Sequence, residues 1–216
     1  MTPEQMMSSF AKDEDIIVRK MAQLIRAFGK PCRQARRFPY VQCHEYRTSH
    51  GQCNRYLVFL YAARRSDWDR PQMGAMCLYT TPEGIGALTR CRTMDTNGRE
   101  SCHYMFFTPH FVKRYAERRM GDLLTDERVV LKAIFTNEGE RIAMSRGSEQ
   151  FVSRNGRNAD KENVFIAPLS GGAAIVDRRC CTYSKFVTYL SESQLGYNQK
   201  SFLEANFEMA ESGCGA

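Results

Sequence analysis

Four strand-like segments follow one another between Arg55 and Phe107, and they constrain the fold more than any other feature of the chain. "RYLVFLYAARR", starting at Arg55, is dense in aromatic and branched residues and reads as a buried strand; "GAMCLYTT", starting at Gly74, reads as a second. "IGALTRCRTM" and "CHYMFF" continue the pattern as an antiparallel meander, with "TPEG" and "DTNG" supplying turns. Residues 40 to 107 are therefore expected to be mostly β.

Helical patterns flank this region. In "DEDIIVRKMAQLIRAF", residues 13 to 28, Ile16, Ile17, Met21, Leu24, Ile25 and Phe28 recur at helical spacing, with acids in the first turn and Gly29 just past the end. "GKPCRQARRFPY" then predicts a basic linker or surface loop. A second helix is expected in "TPHFVKRYAERRM", where Thr108 suits the N-cap and Pro109 the first helical position. A third, "TDERVVLKAIF", starts with Thr125 as N-cap and stops near "NEGE". "RIAMSR", "NVFIAPL" and "AAIVDRR" read as strands, with Ser170, Gly171 and Gly172 as a hairpin turn. "YSKFVTYL" fits either a last strand or the start of a terminal helix; residues 191 to 207 read as helical and "ESGCGA" as a tail. The expected class is α+β: an N-terminal helix and β-rich region over 1–103, then a helix-helix-antiparallel-sheet unit with a C-terminal helix over 104–216. One continuous domain is the alternative.

With 43% hydrophobic and 25% charged residues, the composition is that of an ordinary soluble globular protein. The longest apolar run, Tyr56 to Ala63, is far short of the roughly 20 residues of a membrane helix, so no membrane partner is expected. The first twenty residues lack the apolar stretch of a signal peptide, which predicts a cytoplasmic location. Nine scattered cysteines then read as reduced, buried thiols. A net charge of +7 favours acidic partners, of which nucleic acid is the commonest.

The candidate chemistry lies in the second helix. At about 100° per residue, His110, Arg114 and Arg118 share one narrow stripe. Near the helix N-terminus a histidine is favoured in its neutral form and can accept a proton, while arginines one and two turns on can hold a phosphate. That is a kit for metal-independent RNA cleavage. General acids would come from Tyr183, Lys185, Thr188 or Tyr189, or from Glu117 beside the histidine. The same stripe is also what a solvated charged face looks like, with Lys113 and Glu117 as an ordinary i,i+4 pair.

The layout "PHFVKRYAERRM", a following helix, then strands with a glycine hairpin ending in "FVTYL", resembles bacterial and phage toxin-like domains of the barnase, EndoU, colicin and RelE ribonuclease group, over residues 106 to 190. The resemblance implies His110, Arg114 and Arg118 as helix-motif residues, Thr188 and Tyr189 as polar residues of the last strand, and RNA binding or cleavage without metal. Phe111 departs from the small residue usual after the histidine, and the first hundred residues have no counterpart in those domains.

Two further patterns carry chemistry. Cys43, His50 and Cys53, with Cys32 nearby, have partial zinc-ligand spacing but lack paired CxxC units. Cations at Lys30, Arg33, Arg36, Arg37, Arg47, Arg55, Arg64 and Arg65 interleave with Phe38, Tyr40, Tyr46 and Tyr56, the minimum for gripping phosphates and stacking on bases, unless these rings belong to the core. Glycine-rich phosphate loops are missing, and no cofactor is expected. The sequence thus predicts a metal-independent ribonuclease-like protein with His110 as base and Arg114, Arg118, Thr188 and Tyr189 around it, and with Arg33, Arg36, Arg37, Lys113 and Lys185 binding nucleic acid. The alternatives are a non-catalytic basic binding protein for nucleic acid or a protein partner, and a zinc-stabilised accessory protein.

Overall fold

The computed structural model describes residues 2–49, 54–94, 100–122, 124–138, 144–146, 163–178 and 182–212. The class is α+β. Among the described residues nine strands form one sheet: β1 (Tyr40–Arg47), β2 (Arg55–Ala62), β3 (Gln72–Thr81), β4 (Gly84–Met94), β5 (Glu100–Phe107), β6 (Ser145–Arg146), β7 (Val164–Leu169), β8 (Gly172–Asp177) and β9 (Tyr183–Ser191), in the spatial order β1-β2-β3-β4-β5-β9-β8-β7-β6. All pairs are antiparallel except β5 and β9, whose parallel pairing joins the expected meander to the C-terminal strands. The boundary expected at residue 103 falls inside β5, and a single sheet runs through both halves. "YSKFVTYL" resolves as a strand, while "DTNG" lies outside the described residues.

Strand β2 explains the density of its sequence. Tyr56, Val58 and Leu60 point to one face and Leu57 and Phe59 to the other, and all five are almost wholly buried, as happens when a sheet is covered on both sides. One cover consists of α2 (Pro109–Tyr115) and α3 (Glu127–Glu138), whose Phe111, Val112, Tyr115, Leu131 and Ile134 pack on Phe59, Phe107, Phe186 and Tyr189. The other is α1 (Pro3–Gln34), which lays Phe10, Ile17 and Met21 on Tyr56, Val58, Leu88 and Phe106. Beyond it, α4 (Tyr197–Ser212) places Phe202 and Leu203 against Ile166, Ala173 and Leu190.

The first helix is longer than its periodicity predicts. A capping box between Thr2 and Gln5 starts it at Pro3, and it runs through Gly29 and Pro31 to Gln34, absorbing the first half of the expected basic loop. Gly29 is tolerated for a tertiary reason. A methyl at that position would lie 2.9 Å from the ring of Trp68, which a helical turn at Arg65–Asp69 brings against α1. The Thr108 cap is as expected, its hydroxyl accepting from the Phe111 amide at 3.1 Å. The next cap is displaced: the Asp126 carboxylate accepts from the Arg128 amide at 2.8 Å, and Thr125 instead donates to Asp122.

The α1 cover is oriented by a buried polar contact. Asp13, only 7% exposed, accepts from the Tyr56 hydroxyl at 2.8 Å and from the Asn54 side-chain amide at 2.7 Å. Burial, reinforced by Cys77 and by the Asp13 carboxylate, pushes the Tyr56 phenol far up, so it stays a proton donor. Removing the carboxylate takes away the acceptor of the buried Tyr56 hydroxyl and one of the two acceptors of the Asn54 amide, which keeps the Ser9 hydroxyl at 2.7 Å. Asp13→Ala is expected to cost about 1–3 kcal/mol, read as a lower urea midpoint at unchanged slope; an unaltered midpoint would refute the anchoring role.

Candidate nucleic-acid interface

Seven lysines and arginines and no aspartate or glutamate occur between residues 16 and 44. Helix α1 sorts these charges. Arg19, Arg26, Lys30 and Arg33 fall within about 60° of one another at 100° per residue, a file about 21 Å long at 1.5 Å rise. Phe28, Cys32, Ile17 and Leu24 define the opposite side, which faces the sheet. Because the apolar seam is buried, the cationic file points outward, and Arg19, Arg26, Lys30 and Arg33 are all exposed.

At the C-terminal end of α1 the file broadens. Arg36 and Arg37 follow in the chain, and the Arg65–Asp69 turn docks beside them, bringing exposed Arg64, Arg65 and Arg70 with it. The Arg65 guanidinium donates to the Ala35 carbonyl at 3.1 Å, tying the turn to the helix end. Trp68 completes the surface: Arg33 lies 4.4 Å from its ring centre, and the indole remains 36% exposed. Asp67 and Asp69 are the acids of the turn, and Asp67 is engaged by the Arg64 amide at 2.9 Å and by Ser66. Among the described residues no ion pair to a carboxylate joins any cation of this surface. Beneath it Cys32 is fully buried, and burial, then Asp67, push its thiol up, which suits a packing residue.

The rings expected to stack on bases turn inward. Tyr56 is fully buried, Phe38 and Tyr40 pack against Phe28 and Leu60, and Tyr46 lies on the α1 seam. Arg55 is paired with Glu45 at 2.5 Å. Trp68, Arg19, Arg26 and Arg70 were not among the expected binding residues. The signal for the helical part was present in the acid-free run and the 19, 26, 30, 33 spacing; the placement of Trp68 had none.

The stripe on α2 is arranged differently. His110 is exposed and lies close enough to Arg114 and Arg118 for their charges, after burial, to lower its pKa, with Glu83 and Glu117 opposing. Arg114 is bound to Glu117 at 2.6 Å. After Tyr115 the helix widens into a π-helical turn, Ala116–Met120, and the Arg118 guanidinium donates to the Tyr189 carbonyl. Lys113 donates to the Glu83 carbonyl. The cations that were expected to clamp phosphate thus serve acids and backbone carbonyls.

The other expected members of the centre stand elsewhere. Tyr189 is fully buried and its hydroxyl donates to the Ser170 carbonyl at 2.9 Å. Thr188 pairs in register with Ile175, which packs toward α4, so it sits on the sheet face opposite α2. A bulge between Ile175 and Val176 sets this alternation. Lys185 also lies on that opposite face, where with Tyr79, Phe106 and Tyr183 it lines a cavity of about 570 Å³. His110 lines neither this cavity nor the two others described.

His50 and Cys53 of the expected zinc set lie outside the described residues, and Cys43 is a half-buried β1 residue whose thiol is pushed up by burial. Among the described residues no group of three histidines, cysteines or carboxylates is placed to hold a metal ion. Comparison of the chain with protein-family models, curated proteins and solved structures finds no match.

The environment of His110 is directly measurable. Its NMR titration midpoint is expected below the ordinary value of about 6.5, and Arg114→Gln should move it upward by removing one repelling charge. A midpoint insensitive to that change would show that the stripe is not electrically coupled.

Proposed function

We propose that the protein is a non-catalytic nucleic-acid-binding protein and that the outer face of α1 with the Arg64–Arg70 segment is its binding surface. The observation that carries the reading is the file Arg19, Arg26, Lys30 and Arg33, which is exposed, free of carboxylate partners among the described residues and continued by arginines of two other segments. Polyanions are bound by such surfaces through release of condensed counterions, which depends on the number of cations that reach phosphates. Binding is favoured over cleavage by the state of the α2 stripe. The groups expected to complete a cleavage centre around the exposed His110 are taken up elsewhere: Thr188 lies on the other face of the sheet, Tyr189 is buried, and Glu117 is engaged by Arg114.

No helix among the described residues is long and apolar enough to cross a membrane. A cytoplasmic site of action, where nucleic acid is accessible, belongs to the same proposal.

Fluorescence anisotropy of a labelled RNA in EDTA tests it. Exchanging Arg26, Lys30 and Arg33 together for glutamine is expected to weaken binding by roughly tenfold or more at about 0.1 M salt, while His110→Ala leaves it unchanged and the RNA stays intact on a gel. Cleavage that vanishes with His110→Ala, or binding indifferent to the triple exchange, would overturn the assignment.

A further inference from the structure

The form of nucleic acid that this surface takes is written in its shape. Resting on the binding surface proposed above, we infer that the ligand is a single strand, its phosphates following the α1 file and a base stacking on Trp68.

The cations stand in single file. On one flank of the file lie Ala22 and Gly29, and on the other Gln23, Ala27 and Gln34, none of them charged; Lys20, beyond Ala27, is turned to the Tyr46 ring, 5.5 Å from its centre. A helix that enters a duplex groove meets a phosphate chain on each side and uses cations on both flanks, with base-reading side chains between them. Along the helix one row of charge fits one phosphate chain, and the arginines that broaden the surface gather at the end where Trp68 stands.

Trp68 supplies the second, independent observation. Large rings are commonly drawn into a core, and among the described residues Trp68 and Tyr197 are the rings left exposed. Trp68 instead is kept at the surface by three contacts of the fold: Gly29, which leaves room for the ring against α1; Arg33, whose guanidinium lies on it; and the turn that Arg65 ties to Ala35. An indole held beside a row of cations offers nothing to a duplex, whose base faces are stacked on one another. To a single strand it offers a stacking platform, and base-aromatic stacking of this kind is indifferent to sequence because every base has a π-face. The single-strand specificity is therefore one of form: RNA or DNA strands without a required sequence, contacted along the phosphate chain and anchored at one end of α1.

Trp68 is the only tryptophan, so the wild-type protein reports on its own site. The experiment titrates the full chain with a mixed-sequence 12-nucleotide RNA strand and, separately, with the same strand annealed to its complement. Tryptophan emission and the anisotropy of a labelled strand are both followed at several salt concentrations. Quenching by the single strand and not by the duplex is expected, with the single strand bound at least tenfold more tightly. Four to six phosphate contacts give a slope of log affinity against log salt of about −3 to −4. Trp68→Ala should lose about fivefold or more of single-strand affinity, and because the quenching contrast uses unaltered protein, the inference stands or falls even if that variant folds poorly. Equal affinity for strand and duplex without quenching would overturn the single-strand inference and leave nucleic-acid binding intact. Binding of neither, at low salt, would overturn the binding surface itself.

Discussion

Burial of the apolar seam of α1 on the sheet is the contact on which the rest of the molecule depends. It covers the face of β2 to β5 that carries Tyr56, Val58, Leu88 and Phe106, and it fixes the rotation of a 32-residue helix about its own axis. Hydrophobic burial alone is tolerant of small rotations, since it scales with area and has no direction. Asp13 adds direction: a carboxylate reaching both Tyr56 and Asn54 is satisfied at one rotation and one height. With the seam so fixed, the cationic file on the other side has no choice but to face solvent.

That coupling of core and surface separates the two charged stripes of the chain. On α1 the cations lie opposite the buried seam and form no ion pair with a carboxylate among the described residues; Arg19 gives one bond, to the Asp15 carbonyl, while Arg26, Lys30 and Arg33 face solvent. On α2 the cations lie at the edge of the packed core, where Glu83, Glu117 and the carbonyl ends of neighbouring strands take up their hydrogen bonds. A guanidinium engaged with a carboxylate or a main-chain carbonyl must exchange that bond for a phosphate, whereas an exposed one exchanges only water and counterions. Residue type is the same in the two stripes, and their chemical availability is not.

Much of the fold could be read in advance because its cues are local. The meander from Arg55 to Phe107, the Thr108 cap with Pro109 behind it and the Ser170–Gly172 turn each depend on residues within a few positions of one another, and Gly171 indeed adopts φ +72°. The misreadings share a different cause. Gly29 and Pro31 are local stop signals overridden by a ring from forty residues away, since the space left at Gly29 is filled by Trp68. The resemblance sets Thr188 and Tyr189 in one centre, yet neighbours in a strand point to opposite faces, and the bulge at Ile175 decides which residue faces α2. Tyr46 and Tyr56 carry the same composition signal as exposed stacking rings, and only their partners reveal them as core.

Taken alone, the sequence determined the α+β class, most of its helices and strands, the excess of positive charge and its concentration in an acid-free run, because periodicity, capping and composition act along the chain. The tertiary structure decided which cations form no ion pair among the described residues, that Trp68 stays at the surface beside them, and that the expected members of a cleavage centre stand on different faces of one sheet. Those outcomes depend on what each side chain meets across the fold, and a contact between residues distant in the chain leaves no periodic trace in either segment.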